Sequence, residues 1–298
     1  MVIVFYRKNV MMCKAEAVYD TPVTNWKREY KKCLLDKTRA YMIEKFIFGK
    51  ELLHSQRAIL NHIKKNSTNV ISKSRDIGYT SIMAAYVACE MALNCDESFH
   101  MMYIGHNGMT CTFFRDQVLK NLTDLPKELF SDENAKLEYS NNKGFRFGKA
   151  YLRLTNGYEG KSAIFSATNS LVLACVIFDE VAFLDKLDVA DVIKEVLEYK
   201  CSTYIVGSNP NHENLNWYNF VKKYKNTSSY IEIPWHMNQL HKDSDNDLLE
   251  IITDADGKEE YRTNKWYRKR RHMYFNEDEF KEEYDAKVWK YKTIKDYA

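Results

Sequence analysis

Asp179 and Glu180 are the adjacent residues of this chain best suited to chemistry. They end the run Leu171 to Phe178, eight apolar residues, and so short an apolar run predicts a strand buried on both faces. Two carboxylates at its carboxyl end fall on the rim of an α/β sheet, where ligands bind. Asp179 can hold Mg²⁺ through water while Glu180 activates an attacking water, as nucleoside triphosphate hydrolysis requires. Such a pair needs a phosphate cradle opposite it. Lys73-Ser74-Arg75-Asp76-Ile77-Gly78-Tyr79-Thr80, followed by Ser81, lies between a strand-like and a helix-like segment. Against the pattern G-x-x-x-x-G-K-[ST], Gly78 and Thr80 fit; Lys73 replaces the first glycine and Tyr79 the lysine. The loop can still cradle phosphate with backbone N–H groups before a helix. Thr80 can reach Mg²⁺, Lys73 can fold over the phosphates from the front of the loop, and Arg75 can face the γ-phosphate. Taken singly, an ordinary strand-to-helix turn and a strand ending in surface charge are the plain alternatives. Together the two segments favour a nucleotide site.

Other segments say less alone. Gly207-Ser208-Asn209-Pro210 follows an inner strand and can sense the γ-phosphate, although these are also turn formers. The amide of Gln56 can read an adenine edge, or simply be an exposed helix glutamine. Asp243-x-Asp245-x-Asp247 is no calcium loop, because Leu248 stands where glycine is required and Asp254 where glutamate is. The basic block Lys258 to Arg271, interleaved with Tyr261, Trp266 and Tyr267, could touch a DNA backbone. An amphipathic helix with a charged outer face is the reading preferred for it, and acids from Glu277 to Glu283 follow at once.

The elements that must position these groups read as alternating strands and helices, hence an α/β fold with a largely parallel central sheet flanked by helices. Residues 24–47 read as one amphipathic helix, 55–65 as a second with Ser55 as its cap, and Thr80 to Leu93 as a strong helix on Ala and Met content. Strands are expected at Asn69–Ser72, 100–105, Tyr151–Thr155, Ser162–Ala167, Leu171–Phe178, Thr203–Gly207 and Tyr230–Ile233, with a helix at Thr110–Asn121. A chain of 298 residues permits one large domain or two small ones, and 45% hydrophobic with 14% aromatic residues excludes a disordered chain. The net charge of +3 neither favours nor excludes nucleic acid. Seven cysteines (13, 33, 89, 95, 111, 175 and 201), scattered without metal-ligand spacing, fit a reducing compartment. Neither a signal peptide nor a membrane span is expected, so the chain reads as soluble and cytoplasmic.

The order of these pieces resembles the ATPase domain of tailed-phage terminase large subunits, which are P-loop NTPases that package DNA. Gln56, Lys73 to Thr80, Tyr103-Ile-Gly-His-Asn107, Leu154-Thr-Asn-Gly157, Val176 to Phe183 and Gly207-Ser-Asn-Pro210 carry the likeness. Trp217-Tyr218, Ile233-Pro-Trp235 and Phe280-Lys-Glu-Glu-Tyr284 extend it to about residues 50–285. Order and spacing are specific; no single motif is. Two departures are Tyr79, within a family that varies its P-loop lysine, and Ser166 to Leu171, where members often carry Gly or Arg-Gly. The resemblance implies a helical extension over 1–50, an ATPase domain over 51–285 and a tail or linker over 286–298. It implies ATP and Mg²⁺ as cofactors, with Gln56 for adenine and Lys73, Arg75, Gly78 and Thr80 for phosphates and metal. It further implies Asp179 for Mg²⁺, Glu180 as catalytic base, and Ser208-Asn209 for coupling hydrolysis to movement. Implied partners are double-stranded DNA, a portal and procapsid, a small terminase subunit and further copies in a ring, in the host cytoplasm. Arg115, Arg146 and Arg153 are candidates for an arginine supplied to a neighbour. The RNase H-like nuclease usual in that family has no room here, so no nuclease activity is expected of this chain. Two other readings are a superfamily 2-like helicase lobe and a catalytically weak docking module.

Overall fold

The computed structural model describes residues 25–285 except 169–170, 185–186, 199, 212–213, 245, 254–258, 274–279 and 281–283. Cys13, Asp245, Lys258, the acids from Glu277 to Glu279, Glu282, Glu283 and the proposed tail 286–298 thus lie outside the described residues. In chain order come α1 (Trp26–Leu35), α2 (Ala40–Met42), which widens into a π-helical turn at Ile43–Phe48, and α3 (His54–Ile63). β1 (Thr68–Lys73), α4 (Tyr79–Leu93), β2 (His100–Gly105) and α5 (Gly108–Asp124) follow. Next are β3 (Leu137–Asn141), β4 (Gly144–Phe147), β5 (Ala150–Asn156), α6 (Gly160–Thr168), β6 (Cys175–Asp179) and α7 (Val189–Val192). β7 (Tyr204–Ser208), α8 (Leu215–Tyr224), β8 (Tyr230–Ile233), β9 (Glu250–Thr253), β10 (Glu259–Thr263) and α9 (Lys265–Arg271) complete the order.

Eight strands form one sheet in the order β3-β4-β5-β2-β6-β7-β1-β8. Only the β3–β4 and β4–β5 pairs are antiparallel; from β5 to β8 every pair is parallel. The inner strands are largely buried because both faces are covered. Ile71, Met101, Tyr103, Ile177 and Ile205 enter a core shared with α3, α4 and α5. Their neighbours Val70, Met102, Ile104, Val176, Phe178 and Val206 enter a second core with α6, α7 and α8. This is the period-two alternation of a strand read by two layers at once. The cores also take in α1 and α2 through Cys33, Met42 and Ile43. Arg39 ties that segment to α4 by donating to Glu90 at 2.7 Å. β9 and β10 pair separately, and Trp235, Tyr267, Phe280 and Tyr284 form a small aromatic core.

Several sequence expectations are corrected. Residues 24–47 are not one helix: α1 stops at Leu35, and the Asp36 carboxylate accepts the Thr38 and Tyr41 N–H groups at 3.0 and 2.8 Å. That local bond competes with helix continuation. Ser55 does not cap the second helix, which starts at His54. Ser162 to Ala167 is helical, not a strand: Ile164 is buried while Phe165 is half exposed, a one-sided pattern that fits a helix. The acid strand begins at Cys175, not Leu171. The basic block is split, since Glu259–Thr263 is β10 and only Lys265–Arg271 is helix, capped by Asn264, which accepts the Tyr267 N–H at 2.8 Å. β3 and β4 carry no clear alternation that would predict them from sequence.

Gly207 in β7 meets the ring of Tyr79, whose atoms would lie 2.3 to 2.7 Å from an added Cβ. Gly207→Ala is therefore expected to lower stability by about 2 kcal/mol through overpacking. A urea midpoint equal to that of the parent would show that this contact yields freely.

Candidate functional site

Because β6, β7 and β1 are adjacent and parallel, their carboxyl ends coincide. Lys73 ends β1, Asp179 ends β6 with Glu180 just beyond, and Ser208 ends β7 with Asn209 next. In register, Ser72 lies opposite Ser208 and Asp179 opposite Gly207. The loop from Ser74 to Gly78 leaves β1 and enters α4. It turns through left-handed conformations at Asp76 (φ 60°) and Gly78 (φ 77°). Glycine adopts the second freely, and a Cβ there would also fall 2.7 Å from Gln56 Nε2. The loop encloses a cavity of about 300 Å³ lined by residues 73–81, Glu180 and Asn209. The predicted loop and Glu180 thus share one cavity, although they lie far apart in sequence, and Asp179 is buried behind it against Thr80.

Lys73 is buried, and its ammonium donates to Glu180 and, at 2.8 Å, to Asn209 Oδ1. Glu180 adopts φ 57°, a left-handed conformation rare for a residue with a Cβ. Its N–H donates to the Gly207 carbonyl at 2.9 Å. Its other carboxylate oxygen accepts from Ser208 Oγ at 3.3 Å and the Asn209 N–H at 3.2 Å. Ser208 and Asn209 therefore grip the acid predicted to be the base. Backbone strain held by several bonds in this way is common at functional sites.

Asp179 is fully buried. Its Oδ2 accepts from Thr80 Oγ1 and the Tyr103 hydroxyl, both at 2.9 Å, while Oδ1 is buried without a hydrogen-bond partner among the described residues. Burial pushes the carboxyl up to about 6, against the pull of the Lys73 charge. An orphaned carboxylate oxygen beside a threonine hydroxyl is an all-oxygen donor set and fits Mg²⁺. Thr80 and Asp179 are the residues that would hold it. Tyr103 is among the ordered motifs, but sequence reasoning gives it no role; a lone tyrosine inside an apolar strand carries no sign that its hydroxyl ends on an acid.

The remaining predicted residues divide. Arg75 is exposed on the cavity wall, Ser74 is buried with its N–H on the Ile233 carbonyl at 2.9 Å, and Ser81 lines the cavity. Ile77 is buried in the first core, and its carbonyl accepts from Ser55 Oγ at 3.3 Å. Tyr79 does not stand where a P-loop lysine would act: its ring fills the space under Gly207 and its hydroxyl points to the Phe178 carbonyl at 3.4 Å. Gln56 is buried, its Oε1 accepting the Leu53 N–H at 3.1 Å, so it completes the start of α3 and lies outside the cavity lining. Arg115, Arg146 and Arg153 do not line the cavity either; Arg115 is paired with Asp116 on α5. Asp247 accepts the N–H groups of Lys265 and Trp266 at 2.6 and 3.0 Å, which ties its loop to the start of α9. Among the described residues no helix is long and apolar enough to cross a membrane.

No protein-family model and no curated protein matches the chain in sequence. Solved structures do match. The chain is similar to the large terminase ATPase domain of Thermus phage P74-26, at 16% identity and TM-score 0.56, over 84% of this chain and 98% of that one. It is also similar to the HK97 bacteriophage large terminase (15% identity, TM-score 0.51, 74% of this chain and 46% of that one). A third is the large terminase of another thermophilic bacteriophage (13% identity, TM-score 0.50, 80% of this chain and 54% of that one). The chain has the α/β fold of these ATPase domains, and it spans about half the length of the two larger terminases.

Because the native Asp179 carboxyl binds its proton more tightly than the unfolded chain does, its ionisation opposes folding. That cost is absent below the unfolded value of 3.8 and is fully present above about 6. Asp179→Asn is expected to stabilise the nucleotide-free protein at pH 8 by on the order of 1–3 kcal/mol, with the gain shrinking towards pH 5. Thermal unfolding of both proteins across that range checks it; a gain independent of pH would mean that the charge is not the cause.

Proposed function

We propose that this chain is the ATP-hydrolysing motor domain of a DNA-packaging terminase. The observation that carries the reading is the cavity at the ends of three parallel strands, where the loop and buried Lys73 after β1 meet Glu180 after β6 and Asn209 after β7, with buried Asp179 held beside it by Thr80. Mg²⁺, which Thr80 and Asp179 would hold, would offset phosphate charge and orient the triphosphate. Backbone N–H groups of the loop receive the phosphates. Lys73, held by Glu180 and Asn209 without nucleotide, transfers its ammonium to a phosphate and so frees the Glu180 carboxylate to take a proton from the attacking water. Arg75, on the cavity wall, stabilises charge on the γ-phosphate. Asn209 contacts both the base and the lysine, and Ser208 the base, so loss of the γ-phosphate is felt directly at the end of β7. Movement of the segment beyond β7 then shifts a surface that grips duplex DNA. Gln56 serves adenine through the Nε2 side of its amide, since its oxygen is engaged.

On this reading the partners are double-stranded DNA, a portal on a procapsid, a small terminase subunit and further copies in a ring, within the host cytoplasm. An arginine from a neighbouring copy, Arg115, Arg146 or Arg153, completes each site. The named structures sharing the fold give the helicase-lobe alternative no comparable support.

Glu180→Gln should slow ATP turnover by at least about a hundredfold, the usual contribution of a positioned base, while a fluorescent ATP analogue still binds. Equal turnover in parent and variant would remove the catalytic role and leave a docking domain. Lys73→Ala should weaken both nucleotide binding and turnover by about tenfold or more. Undiminished hydrolysis would show that another group covers the phosphates.

A further inference from the structure

The phosphate loop is held in shape by a residue far along the chain. Asp76, one of its left-handed residues, is of a type that tolerates this conformation, and its peptide is also held from outside the loop. The Asp76 carbonyl accepts from Asn238 Nδ2 at 2.9 Å, across 162 positions. Asn238 follows β8 and the short turn Trp235–Met237, and it is 4% exposed. Its amide orientation is determined by its surroundings: Oδ1 accepts the Leu240 N–H at 3.0 Å, and Nδ2 also meets His241 Nε2 at 3.1 Å. Since His241 Nδ1 faces the Trp235 carbonyl at 3.1 Å, that nitrogen carries the hydrogen and Nε2 accepts from Asn238. Burial lowers the His241 pKa, opposed by the Trp235 carbonyl and Asp76, and keeps the ring neutral at pH 7. The groups facing the ring are the carboxylate and the backbone carbonyl of Asp76, the charge of Arg270, the Asn238 amide, the Trp235 carbonyl and the Trp266 indole, stacked at 4.1 Å. The His241 carbonyl accepts from Asn264, the cap of α9, at 2.9 Å. A second bond from the same strap joins Gln239 Oε1 to the His54 N–H at 3.0 Å.

We infer that Asn238 is a positioning residue of the phosphate loop, held in its donating orientation by His241. In a trans peptide the Ile77 N–H points opposite to the Asp76 carbonyl, so clamping that carbonyl on Asn238 aims the N–H away from the strap. Asn238 lies outside the cavity lining, which places its grip on the outer side of the loop. Without the clamp, the Asp76–Ile77 peptide can rotate and the cradle must be re-formed when nucleotide binds. The same strap joins the loop to the cap of α9 through Asn238, His241 and Asn264.

The inference rests on the nucleotide-site reading, and the test separates the two. Titration of the full chain with a fluorescent ADP analogue and Mg²⁺ measures affinity at pH 8. Asn238→Asp sets an oxygen against the Asp76 carbonyl and should weaken binding about tenfold. Asn238→Ala removes the donor without adding that repulsion and should act in the same direction, which keeps the test decisive if the aspartate unfolds the strap. Protonation turns His241 Nε2 from an acceptor into a donor that no longer accepts from Asn238, so the ratio of parent to Asn238→Ala affinity should narrow as the pH is lowered from 8. A purely structural residue would leave that ratio constant. If the parent binds and Asn238→Ala binds within twofold of it at pH 8, the positioning role is wrong. If the parent does not bind at all, the nucleotide reading has failed and this inference falls with it.

Discussion

The ammonium of Lys73 is buried at the end of a central strand, and a buried charge is tolerated only where partners replace its water. Those partners are Glu180 and Asn209, which follow two other strands. The pairing therefore demands that β1, β6 and β7 be neighbours and point the same way. Parallel neighbours require crossover connections, and these bring α4 and α5 to one face of the sheet and α6, α7 and α8 to the other. Two cores follow from that, and with them the burial of the inner strands on both faces.

The same constraint gives the site its electrostatic poise. Asp179 sits under Thr80 and Tyr103, where burial raises it, while the lysine nearby pulls the other way. The loop has little freedom: Gly78 is crowded by Gln56, Ser74 is tied to β8, and Asp76 is tied to Asn238. Rigidity on the outer side of the loop and an orphaned acid oxygen near its inner side together make a cavity shaped before any ligand arrives. Preorganisation of this kind is what electrostatic catalysis of phosphoryl transfer relies on.

Much of this was legible in the sequence where one physical cause dominates. The apolar run before Asp179, the Ala- and Met-rich α4 and the glycine before Thr80 each have one strong reason to be what they are. The errors fall where local and tertiary preferences compete. Asp36 breaks the first helix by a side-chain bond that composition does not reveal. Residues 160–168 are short and weakly patterned, and packing of Ile164 decides for helix. β3 and β4 form an outer antiparallel hairpin of two strands too short for a pattern to be read, so their strand character comes from pairing β3 with β4 and β4 with β5.

The sequence alone determined which groups could do chemistry and that they belong to a sheet rim, because residue type and period are local properties. It also allowed Lys73 as a substitute for the lysine that Tyr79 displaces. Tertiary structure decided what each group touches. It put Tyr79 under Gly207, turned Gln56 to the start of α3, placed Ser208 and Asn209 on the carboxylate of Glu180, and brought Asn238 to the loop. The physical reason is range. Hydrogen bonds and desolvation act over a few ångströms in space between residues far apart in the chain, and only the packed fold sets those distances.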